Sequence, residues 1–304
     1  MSPISGPTHL GEARRLVVKV GSSSITGANI VHVDGLVDAL AAAHARGVEV
    51  ILVSSGAIAT GMPLLHLDSR PSDLATQQAA AAVGQNALMV RYQSSLDRYG
   101  VTAGQVLLTA GDLKNPTHRQ NAQRAMERLL SLRILPIVNE NDTVATQEIR
   151  FGDNDRLAAL VAMLVHADAL VLLSDVDALY TRPPAEPGAV RIDRVAIDDE
   201  LERIVIGATA VNSVGTGGAA TKVASAKLAA RAGIPVLLTS TTAVADAVGS
   251  PGLATGTWFE ASAEPVTPVT ASIPVAVGDG AAGDGADGEA AVREVAAGDV
   301  TVDV

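Results

Sequence analysis

The sequence predicts an α/β fold, a three-layer αβα sandwich around a mainly parallel central sheet. Three observations predict it. Short apolar runs alternate with longer stretches of helical spacing from Arg15 to about Leu238. The runs are apolar almost throughout, as in strands covered on both faces. Small residues, Asp and Asn cluster where the runs end, which is where ligands bind in such sheets.

The first run, Arg15 to Val20 (RLVVKV), reads as a buried strand, and Gly21-Ser22-Ser23-Ser24 follows at once. A Lys inside an apolar strand is costly unless its charge has a partner. The Gly and Ser residues supply N–H groups and hydroxyls suited to anionic oxygens. Val33 to Arg46 has helical spacing and stops at Gly47. Glu49 to Val53 is the next strand; Ser54-Ser55-Gly56 then opens a helix whose N-terminus favours anions. A long helix is expected over Asp73 to Tyr99 and a third strand over Gln105 to Thr109. Next come a helix from His118 to Arg133, with Met126, Leu129 and Leu130 on one face, and a fourth strand from Arg133 to Val138.

The stretch Ile137 to Leu160 organises the rest. It carries Asn139-Glu140-Asn141-Asp142, then Asp153-Asn154-Asp155, and then turns apolar at helical spacing. The segment between the two clusters is short enough to fold back as a hairpin, so both clusters can face one opening. Arg156 to His166 is expected to be helical and Ala169 to Ser174 to be a fifth strand, with Asp175-Val176-Asp177 after it. A Pro-rich loop spans Arg182 to Gly188, and Arg191 to Ile206 is mixed and expected to be partly helical. Gly215 to Lys222 (GTGGAATK) leads into a helix to about Ala232, a sixth strand at Pro235 to Leu238, and a shorter helix. Trp258, the only Trp, is expected to pack at the end of the fold.

Composition excludes several classes. With 304 residues the chain can bury a large core. No run of about 18 apolar residues occurs, so no membrane span is expected. The N-terminus lacks the basic-then-apolar pattern of a signal peptide, and Cys is 0, so disulfides and thiolate metal sites are absent; a cytoplasmic location is expected. Net charge is −11, but eight acids and one base follow Glu260, leaving the body at −4. A nucleic-acid surface is not indicated. Lysine is rare: Lys19, Lys114, Lys222 and Lys227 stand against 18 Arg. In a chain that favours Arg, a compact ammonium aimed at phosphate is one reason to keep Lys. The loop after the first strand is not a Walker A loop, because no G-x-x-x-x-G-K-[ST] occurs. Gly215-x-Gly217-x-x-Ala220 matches a dinucleotide pattern formally. It lies late in the chain, and Thr239-Ser240-Thr241 occupies the place of the acidic residue that pattern needs.

The order VVKVGSSS, VSSGAIATG, VNENDTV, FGDNDRLAAL, LLSDVDALYT and GTGGAATK resembles the glutamate 5-kinases, a branch of the amino acid kinase family, over Arg15 to Phe259. The resemblance implies the amino acid kinase fold and ATP-dependent phosphorylation of the γ-carboxylate of L-glutamate to L-glutamyl 5-phosphate. That is the first step of proline biosynthesis. It implies Mg²⁺ held mainly by the ATP phosphates, with no dedicated protein metal site. Feedback inhibition by L-proline and a homo-oligomer, dimer or tetramer, are further implications; nucleic acid and membrane are not expected partners. Carried over by motif, Lys19 and Lys222 would face the phosphates, with Asp153 and Asp155 orienting the lysines. Ser55, Asp142 and Asn154 would bind glutamate. Ser174, Asp175 and the stretch Thr216, Gly217, Gly218, Ala219, Ala220, Thr221 and Lys222 would lie at the nucleotide.

Bottom-up chemistry agrees. Two anions must meet, and phosphoryl transfer mainly needs positioning and charge neutralisation. The attacking carboxylate is already ionised near neutral pH, so no strong general base is required. Asp142 suits the substrate ammonium, and Asn154 can serve either end of it. Which Asp meets which Lys stays open at this level. Ser174 stands where Thr is common in the family, and Asp177 where Lys is frequent. The expected organisation is a flexible N-terminus over 1–14, a kinase domain over 15–260, and an acidic Ala/Gly-rich tail over 261–304, mostly disordered. The tail stands where many bacterial members carry a PUA domain. Two alternatives remain: an amino acid kinase for a different small carboxylate, and an inactive ATP-binding regulator.

Overall fold

The structure is a computed structural model that describes residues 4–145, 154–201, 218–249, 252 and 254–264. Eight strands form one sheet in the order β3 (Ala103–Leu108), β4 (Leu135–Glu140), β2 (Glu49–Val53), β1 (Arg15–Val20), β5 (Ala169–Ser174), β9 (Val236–Ser240), β10 (Thr257–Phe259), β8 (Arg194–Val195). Every pairing is parallel except β9 with β10. A separate two-stranded antiparallel pair joins β6 (Leu179–Tyr180) to β7 (Arg191–Ile192).

Strand parity builds the three layers. On β1, Leu16, Val18 and Val20 pack into one core with Leu36 and Leu40 of α1 (His32–Ala45) and with Leu88 and Tyr92 of α3 (Leu74–Leu96). Val17 faces the opposite core, which holds Met126 and Leu130 of α5 (Pro116–Ser131), Leu157 and Val161 of α6 (Asn154–Leu164), and Ala226 of α7 (Ala219–Arg231). The same parity directs Lys19 to the α6–α7 side and Asn139 to the α3 side.

Helix starts follow local capping. The Asp73 side chain accepts from Thr76 N–H at 2.8 Å, so α3 begins at Leu74. Such a cap is worth roughly 1 kcal/mol. Asn115 caps α5 and Pro116 sits at its first position, which places this helix start two residues earlier than hydrophobic spacing suggests. Thr109 and Asp112 form a reciprocal capping box that nucleates the short α4 (Ala110–Lys114), unseen in the sequence pattern.

After β2, Gly56 adopts φ 87° as the N-cap of α2 (Ala57–Leu64). A Cβ at Gly56 would stand 2.7 Å from Thr26 Cγ2 and 3.3 Å from Ser22 Cβ, so only Gly lets the loops after β1 and β2 meet. Helices α2 and α3 cross through Gly61 and Gly84. A Cβ at Gly84 would fall 1.8 Å from Ala57 O, and one at Gly61 would fall 1.9 Å from Ala80 O. This close crossing seats α3 directly behind the ends of β2 and β4.

Several expectations change. The described part of Arg191 to Ile206 contains the short strands β7 and β8 and no helix; Arg194–Val195 pairs with β10, which covers its backbone groups. Trp258 lies in that unexpected strand, β10, is 2% exposed, and packs at the end of the sheet as expected. Residues 7–12, expected in a flexible N-terminus, form a 3-10 helix because Leu10 reaches the core. The shorter helix after β9 consists of a 3-10 turn (Thr241–Ala243) and a π turn (Ala245–Gly249). The hairpin expected between the two acidic clusters falls on residues 146–153, and the tail from 265 onward likewise lies outside the described residues. No helix among the described residues is long and apolar enough to cross a membrane.

Candidate active site

The carboxyl ends of β1, β2, β4, β5 and β9 share one edge of the sheet, and the predicted residues among those described stand on or next to these strand ends or open α6 and α7. At its centre lies Asp155, in the first turn of α6 and 0% exposed. Lys19 Nζ on β1 approaches Asp155 Oδ1 at 2.5 Å. Lys222 Nζ on α7 donates to Asp155 Oδ2 at 2.7 Å. One carboxylate thus holds both lysines, which answers the pairing left open by the sequence for Asp155; Asp153 lies outside the described residues. Lys19 is buried in the central strand, between Val53 and Leu172, not on a wet edge.

Two ammonium groups against one carboxylate leave this trio net positive. The position of Lys222 is itself informative. A cation in the first turn of a helix opposes the helix dipole, and α7 has no acidic residue there. Asp155 offsets part of that cost. Burial alone would push the Asp155 carboxyl upward; Lys19 and then Lys222 outweigh it, and its pKa is lowered. Asp155 therefore stays ionised, a fixed negative charge between the two lysines.

Asn154 precedes Asp155 and belongs to a second network. Its amide donates to Ser54 O at 2.6 Å and to Asn139 Oδ1 at 2.8 Å. Asn139, 2% exposed at the end of β4, donates in turn to Gln85 Oε1 of α3 at 2.7 Å. The Ser54 hydroxyl meets the Tyr92 hydroxyl at 2.9 Å. Ser55 follows, half-buried, and Asp142 is half-buried in the turn after β4.

A third group gathers on the other side of Lys19. Ser174 ends β5 and donates to Asp175 Oδ1 at 3.1 Å. Its carbonyl accepts from Thr241 Oγ1 at 3.1 Å, which ties the ends of β5 and β9 together. Asp175 is exposed beside this tie. Asp177 accepts from the Tyr180 hydroxyl at 3.0 Å and lies 3.6 Å from Arg191, so it anchors the β6–β7 pair. Gly218 caps α7, and Ala219, Ala220, Thr221 and Lys222 form its first turn. Ala219 and Ala220 are exposed and Thr221 is half-buried, donating to Gly218 O at 2.8 Å. Asp153, Thr216 and Gly217 lie outside the described residues.

Sequence reading assigned no role to Gln85, Tyr92 or Thr241, and named Asn139 only as part of a cluster. One signal was available for Gln85: it is a polar residue inside the small-residue stretch AAAAVGQ. Tyr92 and Thr241 carry no comparable signal, because their partners are remote in sequence.

The pattern of the "Amino acid kinase family" matches residues 14–240. "Glutamate 5-kinase" of Clavibacter sepedonicus is 72% identical over 250 residues, spanning 82% of this chain and 95% of that protein. "Glutamate 5-kinase" of Streptomyces coelicolor is 56% identical over 257 residues, spanning 83% of this chain and 68% of that longer protein. Among solved structures, "Carbamate kinase from Giardia lamblia bound to AMP-PNP" superimposes with a TM-score of 0.58 at 16% identity, over 83% of this chain and 100% of that one; this likeness bears on the fold. By its motif order, its sheet and these relatives, the chain belongs to the amino acid kinase family, in the glutamate 5-kinase branch.

Proposed function

We infer that the chain catalyses ATP-dependent phosphorylation of the γ-carboxylate of L-glutamate to L-glutamyl 5-phosphate, the first step of proline biosynthesis. The observation that carries the chemistry is the convergence of Lys19 and Lys222 on Asp155. A glutamate carboxylate oxygen attacks the terminal phosphorus of ATP, and the bond to the bridging oxygen breaks with its electron pair going to ADP. The two lysines face the phosphates and offset the repulsion between the reacting anions. Asp155, with Asp153, orients them.

Ser55, Asp142 and Asn154 bind glutamate. Both donors of the Asn154 amide are engaged by Ser54 and Asn139, so its carbonyl oxygen is the end available to the substrate ammonium. Ser174, Asp175 and the start of α7, from Thr216 through Lys222, border the nucleotide. The described residues fit a Mg²⁺ carried on the phosphates, since both oxygens of Asp155 face ammonium groups. When bound, that ion neutralises phosphate charge. Cytoplasmic location, a dimeric or tetrameric state and inhibition by L-proline belong to the same proposal. So does the division into an N-terminal segment over 1–14, a kinase domain over 15–260 and a tail over 261–304.

The test is ADP release from Mg-ATP with L-glutamate, beside L-aspartate, N-acetyl-L-glutamate and UMP, with hydroxylamine trapping the acyl phosphate. Turnover and trapped product with glutamate alone support the reading, and added L-proline then tests inhibition. Turnover with another acceptor keeps the phosphoryl chemistry and overturns the roles of Asp142 and Asn154. ATP binding without any turnover overturns the enzymatic reading.

A further inference from the structure

Behind Asn154 runs a buried chain of amides that phosphoryl transfer does not itself use. Gln85 is 8% exposed, Asn139 2% and Asn154 9%. We propose that Gln85 is a positioning residue for the glutamate side of the site: acting through Asn139, it holds in place the Asn154 carboxamide, whose nitrogen end the Ser54 carbonyl selects. This rests on the reading of Asn154 as a glutamate contact.

Two backbone groups determine the direction of the whole chain. A backbone N–H can only donate and a backbone carbonyl can only accept. The Glu140 N–H lies 2.9 Å from one end of the Asn139 carboxamide, so that end is the oxygen. The other end is then the amide nitrogen, and it needs an acceptor; Gln85 Oε1 at 2.7 Å is that acceptor. The Ser54 carbonyl lies 2.6 Å from one end of Asn154, so that end is the nitrogen. The same nitrogen reaches Asn139 Oδ1 at 2.8 Å. The Asn154 oxygen is what remains, and an acceptor oxygen suits the α-ammonium of an amino acid.

Without the Gln85 oxygen, the Asn139 amide would be left buried and unpaired. Asn139 would then turn or admit water, and Asn154 would lose one of its two anchors. Gln85 stands on α3, which covers the sheet face opposite α6 and α7. The bonds of Lys19 and Lys222 to Asp155 do not involve it. The effect of losing it is therefore selective for glutamate.

Gln85→Met keeps length and volume and removes the acceptor. The experiment measures KM for glutamate, KM for ATP, kcat and the melting midpoint for Gln85→Met, alone and combined with Asn154→Ala. We expect KM for glutamate to rise about ten-fold, with KM for ATP and kcat within about three-fold. Added to Asn154→Ala, the same change should raise KM by less than about two-fold. Gln85→Asn, which keeps the amide but shortens its reach, should give the same selective rise and serves if Met is not tolerated. If Asn154→Ala raises KM for glutamate but neither Gln85 variant does, the proposal is wrong. An equal rise in both backgrounds would also overturn it, because Gln85 would then act independently of Asn154. If Asn154→Ala leaves KM for glutamate unchanged, the reading of Asn154 falls, and the proposal with it.

Discussion

Asn154 and Asp155, consecutive at the start of α6, serve two separate networks. Asn154 bonds toward Ser54 and Asn139, while Asp155 bonds toward Lys19 and Lys222. One helix start therefore ties the two networks together, and if they serve glutamate and phosphate as proposed, substitutions at the two positions should separate binding from transfer.

Asp155→Asn should lower kcat by about 10²–10³-fold, because both lysines lose the charge that aims them. Breaking a buried pair by removing one partner costs about 3–5 kcal/mol. A lowered melting midpoint with a large loss of kcat is the expected pair of results in steady-state assays and thermal melts. Retention of more than about a tenth of wild-type kcat would remove Asp155 from its orienting role.

Lys222→Ala should abolish transfer. From sequence alone, little loss of stability is expected with it. The 2.7 Å bond to a fully buried carboxylate changes that expectation to a measurable drop in melting midpoint. Lys19 still neutralises Asp155, so the drop should be smaller than for Asp155→Asn. Near-normal turnover in this variant would refute the assigned role.

Asp142→Ala should mainly raise KM for glutamate, by about ten-fold or more, with KM for ATP little changed. A changed ATP dependence with unchanged KM for glutamate would move this residue to the nucleotide side.

The lowered pKa of Asp155 sets an acid limit on stability. Its contribution is fully present above the unfolded carboxylate value of about 3.9 and is lost as pH falls through the lower folded value. The stability gap between wild type and Asp155→Asn should therefore hold at about pH 5 and above and narrow as the pH falls below the ordinary carboxylate range. Melting midpoints of both proteins across that range check it; a gap that widens on acidification would contradict the ionised assignment.

Gly84→Ala should destabilise the fold by about 1–3 kcal/mol or more, since its Cβ would meet Ala57 O and, at 2.5 Å, Gly61 N. Because Gln85 is the next residue, KM for glutamate should rise with it. Denaturant unfolding and glutamate titration measure the two effects; an unchanged midpoint would mean that α2 and α3 separate easily.

Much was legible in the sequence for a local reason. An apolar strand, a Gly stop or an Asn-Pro cap acts on its own neighbours, so β1, β2 and β5 begin and end where the pattern places them, and α1, α5 and α6 shift by a residue or two. The short strands β6, β7, β8 and β10 were not legible. Two or three residues carry no periodicity, and Thr257–Phe259 is a strand only because β9 and Arg194–Val195 lie on either side of it.

By itself, then, the sequence determined the alternating α/β order, the burial of Lys19 in a strand and the gathering of Asp, Asn and small residues at strand ends. These follow from short-range periodicity and from the cost of burying charge. Only the tertiary structure decided that Lys19 and Lys222 share Asp155, that Asn154 turns toward Ser54, and that Gln85 and Tyr92 stand behind the site. Those partners are far apart in the chain, and hydrogen bonds and ion pairs are chosen by distance in space once the sheet order has brought the elements together.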